Sequence, residues 1–190
     1  MNIAQLVHAT RSCRRFREEQ AVARETLRGL IDLARLAGSA KNLQPLKYLI
    51  VNTPAQNAAI FPHLGWAGYL PEWPGPMAGE RPAAYIVCLL DTRLATEAAC
   101  DLGIASQNIL LGATDLGLAG CRIASLSGKL HQTLRLPAHL EILLVIALGF
   151  PCEQVVIEEA GPDDDIRYWR TPDQTHHVPK RRFADIIIEG

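Results

Sequence analysis

Hydrophobic and polar positions alternate along this chain with two periods, one typical of helices and the other of strands. A helix that begins near Ala23 is predicted by apolar residues spaced i, i+3, i+4 and i+7, with Gly38 as its stop signal. A longer helical pattern extends from about Leu94 to Leu118. Because this second helix is apolar on two sides, we expect it at the centre of the domain or at a subunit interface. One stripe comprises Leu102, Ala105, Ile109, Ala113 and Leu116, and the other comprises Ile104, Leu110 and Leu111.

Three apolar runs predict β-strands, at residues 47–52, 83–90 and 140–148. The second run is nearly continuous, which is typical of a strand that is covered on both faces. A short terminal strand is predicted at residues 184–188. Because strands and helices do not alternate regularly, the pattern predicts an α+β fold, and 190 residues are suited to a single domain.

The segment 61–82 follows neither period. It is rich in proline and glycine, and it contains the aromatic residues Trp66, Tyr69 and Trp73. A long segment of this composition is typical of a lid or a binding loop, and here it is a candidate for selecting a substrate. The alternative is that these aromatic side chains only cover an edge of the core.

Composition argues against several classes of protein. The chain is 48% hydrophobic and 21% charged with a formal net charge of −1, which fits neither a disordered chain nor a basic nucleic-acid binder. The N-terminus has no apolar core of signal-peptide length, and the longest apolar stretch, residues 140–150, is too short to span a bilayer. The five cysteines indicate reduced thiols, and the six histidines lack ligand spacing. We therefore expect a soluble, cytoplasmic protein without a metal.

Three polar segments carry candidate chemistry. Residues 11–16 contain arginines on either side of a serine, a set that can hold a phosphate dianion by charge-assisted hydrogen bonds. Residues 38–45 offer small and amide side chains that can approach a flat heterocycle closely. The basic cluster 180–182 could add positive charge to the same phosphate. Taken singly, the segments 11–16 and 180–182 are more typical of a solvated basic turn and a charged edge strand, and the segment 38–45 alone needs no function beyond that of a polar loop.

In their order along the chain, these segments resemble the nitroreductase family of flavoproteins. The resemblance extends over nearly the whole chain and depends on the order and spacing of the motifs. The matching motifs are Arg-Ser-x-Arg-x-Phe at 11–16, Ser-x-x-Asn-x-Gln-Pro at 39–45, Asp-Leu-Gly-x-Ala-Ser-Gln-Asn at 101–108, Leu-Gly-Leu at 116–118 and Ala-Leu-Gly-Phe-Pro at 147–151. Three positions depart from the family pattern: Thr10 replaces a frequent arginine, Lys41 a small residue and Leu46 a frequent tryptophan.

The resemblance implies a central antiparallel sheet flanked by helices, in an intertwined homodimer with FMN in clefts between the subunits. Residues 1–190 would form a single FMN-binding domain. Within it, residues 152–190 would be a C-terminal extension that packs on the partner subunit. The long helix would form much of the dimer interface.

The resemblance also implies which residues bind the cofactor. The phosphate and ribityl chain would be held by Arg11, Ser12, Arg14, Lys180 and Arg182. Residues reaching the flavin from the partner subunit would be Gly38, Ser39 and Asn42. The isoalloxazine ring would lie along Arg122, Ile123, Ala124, Ser125 and Leu126, where a backbone N–H of Ala124 or Ser125 would donate to flavin N5. Substrate contacts would come from Lys41, Trp66, Tyr69 and Trp73.

The implied activity is that of an FMN-dependent oxidoreductase. Hydride would pass from NADH or NADPH through flavin N5 to a small electron-poor acceptor such as a nitroaromatic or a quinone, without a protein nucleophile. Two alternatives remain open: a non-enzymatic flavin-binding or storage protein, and a specialised member of the superfamily such as a reductive dehalogenase. The segment 61–82 contains no lysine to grip an amino-acid substrate, which argues against a dehalogenase of the deiodinase type.

Overall fold

The computed structural model describes residues 1–189, and its centre is a four-stranded antiparallel sheet. The strands are β1 (Leu46–Val51), β2 (Ala84–Asp91), β3 (Ala119–Ile123) and β4 (Leu140–Gly149), in the spatial order β1-β2-β4-β3. The helices are α1 (Ile3–Ala9), α2 (Arg24–Arg35), α3 (Pro54–Ile60), α4 (Ala99–Asp115) and α5 (Leu130–Thr133). The predicted α+β class, with an antiparallel sheet flanked by helices, is therefore confirmed.

Strand β2 is buried along its whole length because both faces of the sheet are covered. Successive side chains of a strand point to opposite faces. Ile86 and Cys88 accordingly join the hydrophobic cluster formed with α2 and α4. Tyr85 and Val87 join a second cluster on the other face, which includes Phe16. The prediction that this strand is covered on both sides is confirmed.

Helix α4 is shorter than the sequence pattern suggested. Before it, Asp91 closes a turn with Arg93, and Leu94 donates its backbone N–H to the Asp91 carbonyl. After it, Gly117 adopts a φ of +74°, a left-handed conformation that ends a helix and favours glycine. Ala105, Ile109 and Ala113 of the first apolar stripe are buried, and so is Leu110 of the second stripe, whereas Ile104 of the second stripe is 43% exposed. Most of the apolar surface of α4 is thus covered within the chain, and Ile104 remains as apolar surface.

The C-terminal residues form a second sheet of three short strands. These are β5 (Val155–Ala160), β6 (Trp169–Arg170) and β7 (His176–Arg181), with β7 between the other two and parallel to β5. The predicted strand at 184–188 is wrong: the strand ends at Arg181, and a single 3-10 turn follows at Phe183–Asp185. The physical reason is pairing, because β7 has strands on both sides while residues 183–188 are exposed. No helix within residues 1–189 is long and apolar enough to cross a membrane.

Candidate functional site

The two arginines of residues 11–14 lie on a segment that follows α1 and runs beside β3. Ser12 forms a parallel bridge with Gly120, and Cys13 donates its backbone N–H to the Gly120 carbonyl at 3.0 Å. Arg14 is only 9% exposed. Its Nη1 is 3.1 Å from Nε2 of His176, and its guanidinium lies 4.8 Å from the centre of the Tyr168 ring.

Arg11 is the other cation of this segment. Its Nη2 donates to the Val7 carbonyl at 2.5 Å, and its Nε is buried without a partner. Within the part of the chain that the structure describes, neither Arg11 nor Arg14 has a carboxylate within ion-pair distance. A cavity of about 420 Å³ adjoins Arg11 and is also lined by Cys13, Thr114 and Glu153. Two guanidinium groups without counter-charges, one of them beside a cavity, are a setting that favours an anion.

The loop at residues 38–45 is fixed by a buried carboxylate at the start of α4. Asp101 accepts from Ser39 Oγ at 2.6 Å and from the Ala40 backbone N–H at 3.2 Å. Ser39 Oγ in turn accepts from the Gln44 backbone N–H at 2.9 Å. Asp101 is 6% exposed, so these hydrogen bonds are largely shielded from water. The carboxylate thereby holds both ends of the loop.

Three non-glycine residues of this loop have left-handed backbone conformations. The φ values are +52° for Lys41, +56° for Asn42 and +52° for Gln44. Such conformations cost on the order of 1–3 kcal/mol each outside glycine and cluster at functional sites. A cavity of about 340 Å³ lies beside the loop, and its lining includes Gly38, Ser39 and Asp101. This volume is within the range of small-molecule sites.

The segment 122–126 continues from β3. Arg122 is held by α4, because its Nε donates to Ser106 Oγ at 2.7 Å and its Nη2 donates to Gln107 Oε1 at 2.8 Å. Ile123 is buried, whereas Ala124 and Ser125 are exposed. The segment is thus open to a ligand at the two residues predicted to lie at flavin N5.

Helix α4 organises these elements and also separates two of them. Asp101, near its start, holds the loop 38–45, and Thr114, near its end, lies 2.9 Å from Thr10 through their hydroxyl oxygens. Thirteen residues at 1.5 Å per residue place these two contacts about 20 Å apart along the helix axis. The single chain therefore does not bring the loop 38–45 and the segment 11–14 together.

The candidate lid, residues 61–82, is attached at its base to the segment 122–126. Leu64 bridges Leu126, and the Gly65 backbone N–H donates to the Ser125 carbonyl at 2.8 Å. Trp66 is half-buried, with its ring 6.0 Å from that of Phe61. The lid thus begins beside the predicted flavin contacts.

The tip of the lid contacts the C-terminal extension. The Tyr69 ring lies 5.0 Å from the Tyr168 ring, and the Arg170 guanidinium lies 4.1 Å from the centre of the Trp73 ring. Close to the end of the lid, Glu80 accepts two hydrogen bonds from Arg15, at 2.8 Å and 2.5 Å. These contacts are all within one chain. The predicted packing of residues 152–190 on a partner stays a prediction.

Lys180 and Arg182 lie away from Arg14 in the single chain. Arg14 meets β7 at its first residue, His176, and Lys180 is four residues further, about 13 Å at the rise of a strand. Lys180 is exposed, and Arg182 forms an ion pair with Glu159 at 3.3 Å. Their predicted contact with the same phosphate as Arg14 stays a prediction.

The adjacent histidines of β7 face opposite sides of the strand. His176 contacts Arg14, while Nδ1 of His177 lies 2.6 Å from the Glu158 carboxylate. Burial, together with the charges of Arg14 and Arg170, lowers the pKa of His176 to about 4. His176 is therefore neutral at physiological pH, and its ring is available as a hydrogen-bond partner of Arg14.

Sequence reasoning missed the residues that support the site. Asp101 was visible only as the first residue of a motif. The buried ion pair of Glu153 with Arg170, and the packing of Tyr168 on Arg14, had no signal in the pattern, because all four residues lie outside the predicted helices and strands. The adjacent aromatic residues Tyr168 and Trp169 were the feature that could have suggested packing.

The sheet has the strand order β1-β2-β4-β3, with α2 and α4 on one face and the arginine segment at its border. This α+β fold is shared with solved nitroreductases. The nitroreductase family matches residues 7–150, so this chain belongs to the nitroreductase family. The family match ends before the C-terminal extension.

Individual relatives agree with this assignment. The chain is 29% identical over 164 residues to a protein of Methanothermobacter thermautotrophicus named as an NADH dehydrogenase/NAD(P)H nitroreductase, covering 80% of this chain and 79% of that protein. A crystal structure of a Parabacteroides distasonis protein with the same description is 25% identical, with a TM-score of 0.65, and covers 80% of this chain and 88% of that one. A nitroreductase from Exiguobacterium sibiricum, solved in complex with FMN, has a TM-score of 0.67 at 14% identity, covering 80% and 90%. At that identity the last comparison shows the fold alone.

Proposed function

We propose that the protein is an FMN-dependent oxidoreductase that transfers hydride from NADH or NADPH to a small electron-poor acceptor such as a nitroaromatic or a quinone. Membership of the nitroreductase family supports the class of reaction. The observation that carries the proposal is the pair of guanidinium groups at Arg11 and Arg14, which lie beside β3 without carboxylate partners in the described chain. A cofactor that ends in a phosphate dianion would supply the missing charge.

The residues around Arg11 fit such a phosphate. The unpartnered Arg11 Nε is a buried donor, and the adjoining cavity of about 420 Å³ gives it access to a ligand. Glu153 lines the same cavity, but its carboxylate already accepts from the Arg14 backbone N–H at 2.7 Å and is paired with Arg170. The local charge therefore stays positive, as phosphate binding requires.

The remaining flavin contacts require a second copy of the chain. Since the loop 38–45 lies about 20 Å along α4 from the segment 11–14, we infer that Gly38, Ser39 and Asn42 serve the cofactor of the partner subunit. Two-fold symmetry would place each loop against the other subunit's arginine segment. Exposed apolar residues support such an interface; they are Leu33 on α2, Leu36 directly after α2 and Ile104 on α4.

When bound, FMN supplies N5, the atom that accepts and returns hydride. The chain supplies the surroundings. The residues Ala124 and Ser125 are exposed, and a backbone N–H of either would donate to the ring edge. Arg122 carries a positive charge that Ser106 and Gln107 hold in place. Lys41 adds a second cation on the strained loop of the partner. The lid is attached at Ser125 and would cover this region once FMN and an acceptor are bound.

The proposal is tested by loading purified protein with FMN and measuring NADH or NADPH oxidation under anaerobic conditions. We expect oxidation that requires both bound flavin and an added quinone or nitroaromatic. A flavin-loaded dimer that oxidises neither nucleotide with any acceptor of these classes would contradict the proposal and favour a flavin-storage role.

A further inference from the structure

We propose that the C-terminal extension sets the acceptor specificity of this enzyme by holding the lid, with Tyr168 and Arg170 as positioning residues. Neither side chain is assigned a contact with the cofactor; both act through Tyr69 and Trp73 of the lid. The inference rests on the proposed function, since it concerns which acceptor enters the flavin cleft. It goes beyond the family pattern, because the family match ends at residue 150 and the extension follows it.

The tip of the lid is held from outside by the extension. Arg170 lies 4.1 Å from the Trp73 ring, Tyr168 lies 5.0 Å from the Tyr69 ring, and the Tyr69 backbone N–H donates to the Tyr168 hydroxyl at 3.2 Å. By contrast, the backbone N–H groups of Leu70 and Trp73 donate to residues three positions earlier and so only close local turns. Local turns shape the tip but do not fix its position over the sheet. Beyond the tip, Gly79 and Glu80 are held separately by hydrogen bonds with Glu18 and Arg15. The contacts with Tyr168 and Arg170 are therefore the ones that position residues 69–73.

The extension is itself rigidly anchored. The Arg170 side chain is 7% exposed and forms an ion pair with the fully buried carboxylate of Glu153. The same carboxylate accepts from the Arg14 backbone N–H at 2.7 Å. Tyr168 packs against both the Arg14 guanidinium, at 4.8 Å, and the His176 ring, at 5.2 Å. The lid tip is thus connected through two short chains of contacts to the segment that we assign to the cofactor phosphate.

The other end of the lid is connected to the segment predicted to lie along the flavin ring. The hydrogen bond from Gly65 to Ser125 and the bridge between Leu64 and Leu126 fix this base. The lid therefore spans from the ring segment to the extension. Any displacement of Tyr69 and Trp73 changes the opening above residues 122–126 and hence the size of acceptor that fits.

The expected effect follows from the kind of contact. An aromatic pair or a cation–π contact shifts an equilibrium by roughly twofold to twelvefold. Loss of Tyr168 removes one ring contact and one hydrogen bond to the lid, so we expect an effect towards the upper end of this twofold to twelvefold range. Replacement of Arg170 by lysine retains a charge for Glu153 but loses the planar stack on Trp73, so we expect a smaller effect in the same direction.

The test compares Tyr168→Ala and Arg170→Lys with the matched control Trp169→Ala. Trp169 is the neighbour of both residues, but its ring stacks on His177 at 4.1 Å and not on the lid. With FMN-loaded protein, we measure kcat and KM for a one-ring quinone and for a three-ring quinone. The ratio of the two kcat/KM values should change in favour of the bulky acceptor by about tenfold in Tyr168→Ala and about threefold in Arg170→Lys, mainly through KM. Trp169→Ala should stay within about twofold of the wild type.

A second measurement does not depend on turnover. Hydrogen–deuterium exchange of residues 66–75 should accelerate by about fivefold to tenfold in Tyr168→Ala and remain unchanged in Trp169→Ala. Tyr168→Phe serves as a milder variant that keeps the ring and loses the hydrogen bond. Equal acceptor ratios in Tyr168→Ala and Trp169→Ala, or equal exchange in the two, would overturn the proposal. A wild-type protein that loads FMN but reduces no acceptor would overturn the proposed function instead, together with the specificity role that rests on it.

Discussion

Asp101 gives the sharpest prediction about the site, because one buried carboxylate holds a strained loop. We expect Asp101→Ala to release residues 39–44, since both hydrogen bonds to Ser39 and Ala40 are lost. Without them, little opposes the relaxation of the left-handed conformations at Lys41 and Asn42. The loop would then sample conformations in which it no longer faces a flavin.

Two charge-assisted hydrogen bonds set the size of the stability loss expected for Asp101→Ala. A hydrogen bond to a charged acceptor contributes about 1.5–3 kcal/mol, so two such bonds contribute at most about 3–6 kcal/mol. Water can replace part of this because Ala40 is exposed, and relaxation of the strained residues offsets more. We therefore expect a loss of about 2 kcal/mol in the free energy of unfolding, or about 4–8 °C in Tm for a chain of this size. The Kd for FMN should rise about tenfold or more.

The assay combines thermal unfolding with FMN titration, and Asp115→Ala is its matched control. Asp115 lies in the last turn of the same helix, is 53% exposed and, among residues 1–189, pairs only with the N-terminal amine at 3.4 Å. Its loss should cost less than about 0.5 kcal/mol and leave FMN binding unchanged. If Asp101→Ala matched Asp115→Ala in both Tm and FMN affinity, the loop would not depend on Asp101 and the reasoning would be refuted.

Three further predictions concern the phosphate site, the interface and pH. Arg14→Ala should weaken FMN binding about tenfold or more because a charged contact is lost, while exposed Arg17→Ala should not; a fully flavin-loaded Arg14→Ala protein after gel filtration would contradict this. Ile104→Asp should shift the sedimentation coefficient from that of a dimer to that of a folded monomer, whereas Ile109→Asp, at a fully buried position, should unfold the chain. A stable dimer of either variant would show that the interface and core positions of α4 are misassigned. Because the pKa of His176 is lowered to about 4, the unfolded chain binds a proton between about pH 6.5 and 4 that the folded chain does not. The free energy of unfolding should therefore fall as pH drops through this window, by at most about 1.4 kcal/mol per pH unit. If His176→Gln showed the same dependence of stability on pH, the assignment would be contradicted.

Periodicity predicted the part of the fold in which burial decides structure. Strands β1, β2 and β4 and helix α2 follow their predicted positions closely, because each presents a long apolar pattern to a covered face. Helix α1 was missed because none of its residues is buried; it begins instead with a capping box between Asn2 and Gln5. The C-terminal strands were missed or misplaced because backbone pairing, not an apolar stripe, defines β7.

The candidate site likewise contains parts that the sequence predicted and parts that it did not. The arginine segment, the loop at 38–45 and the lid were all recognisable from residue type and spacing. Their supports were not, because they depend on contacts between distant parts of the chain: Asp101 is 62 residues from Ser39, and Arg14 is 162 residues from His176. The predicted contacts of Lys180 and Arg182 with the phosphate, and the predicted contribution of the partner subunit, stay predictions, because they concern an assembly of two chains.

The central claim is that FMN binds between two copies of this chain. It is tested most directly by sedimentation velocity of the FMN-loaded protein, recorded at both the protein and the flavin absorption bands. The account predicts that both signals move together at the mass of a dimer with one FMN per chain, and that Asn42→Ala lowers the flavin signal without dissociating the dimer. Flavin that sediments with a monomer, or a dimer that retains no flavin after loading, would contradict the claim.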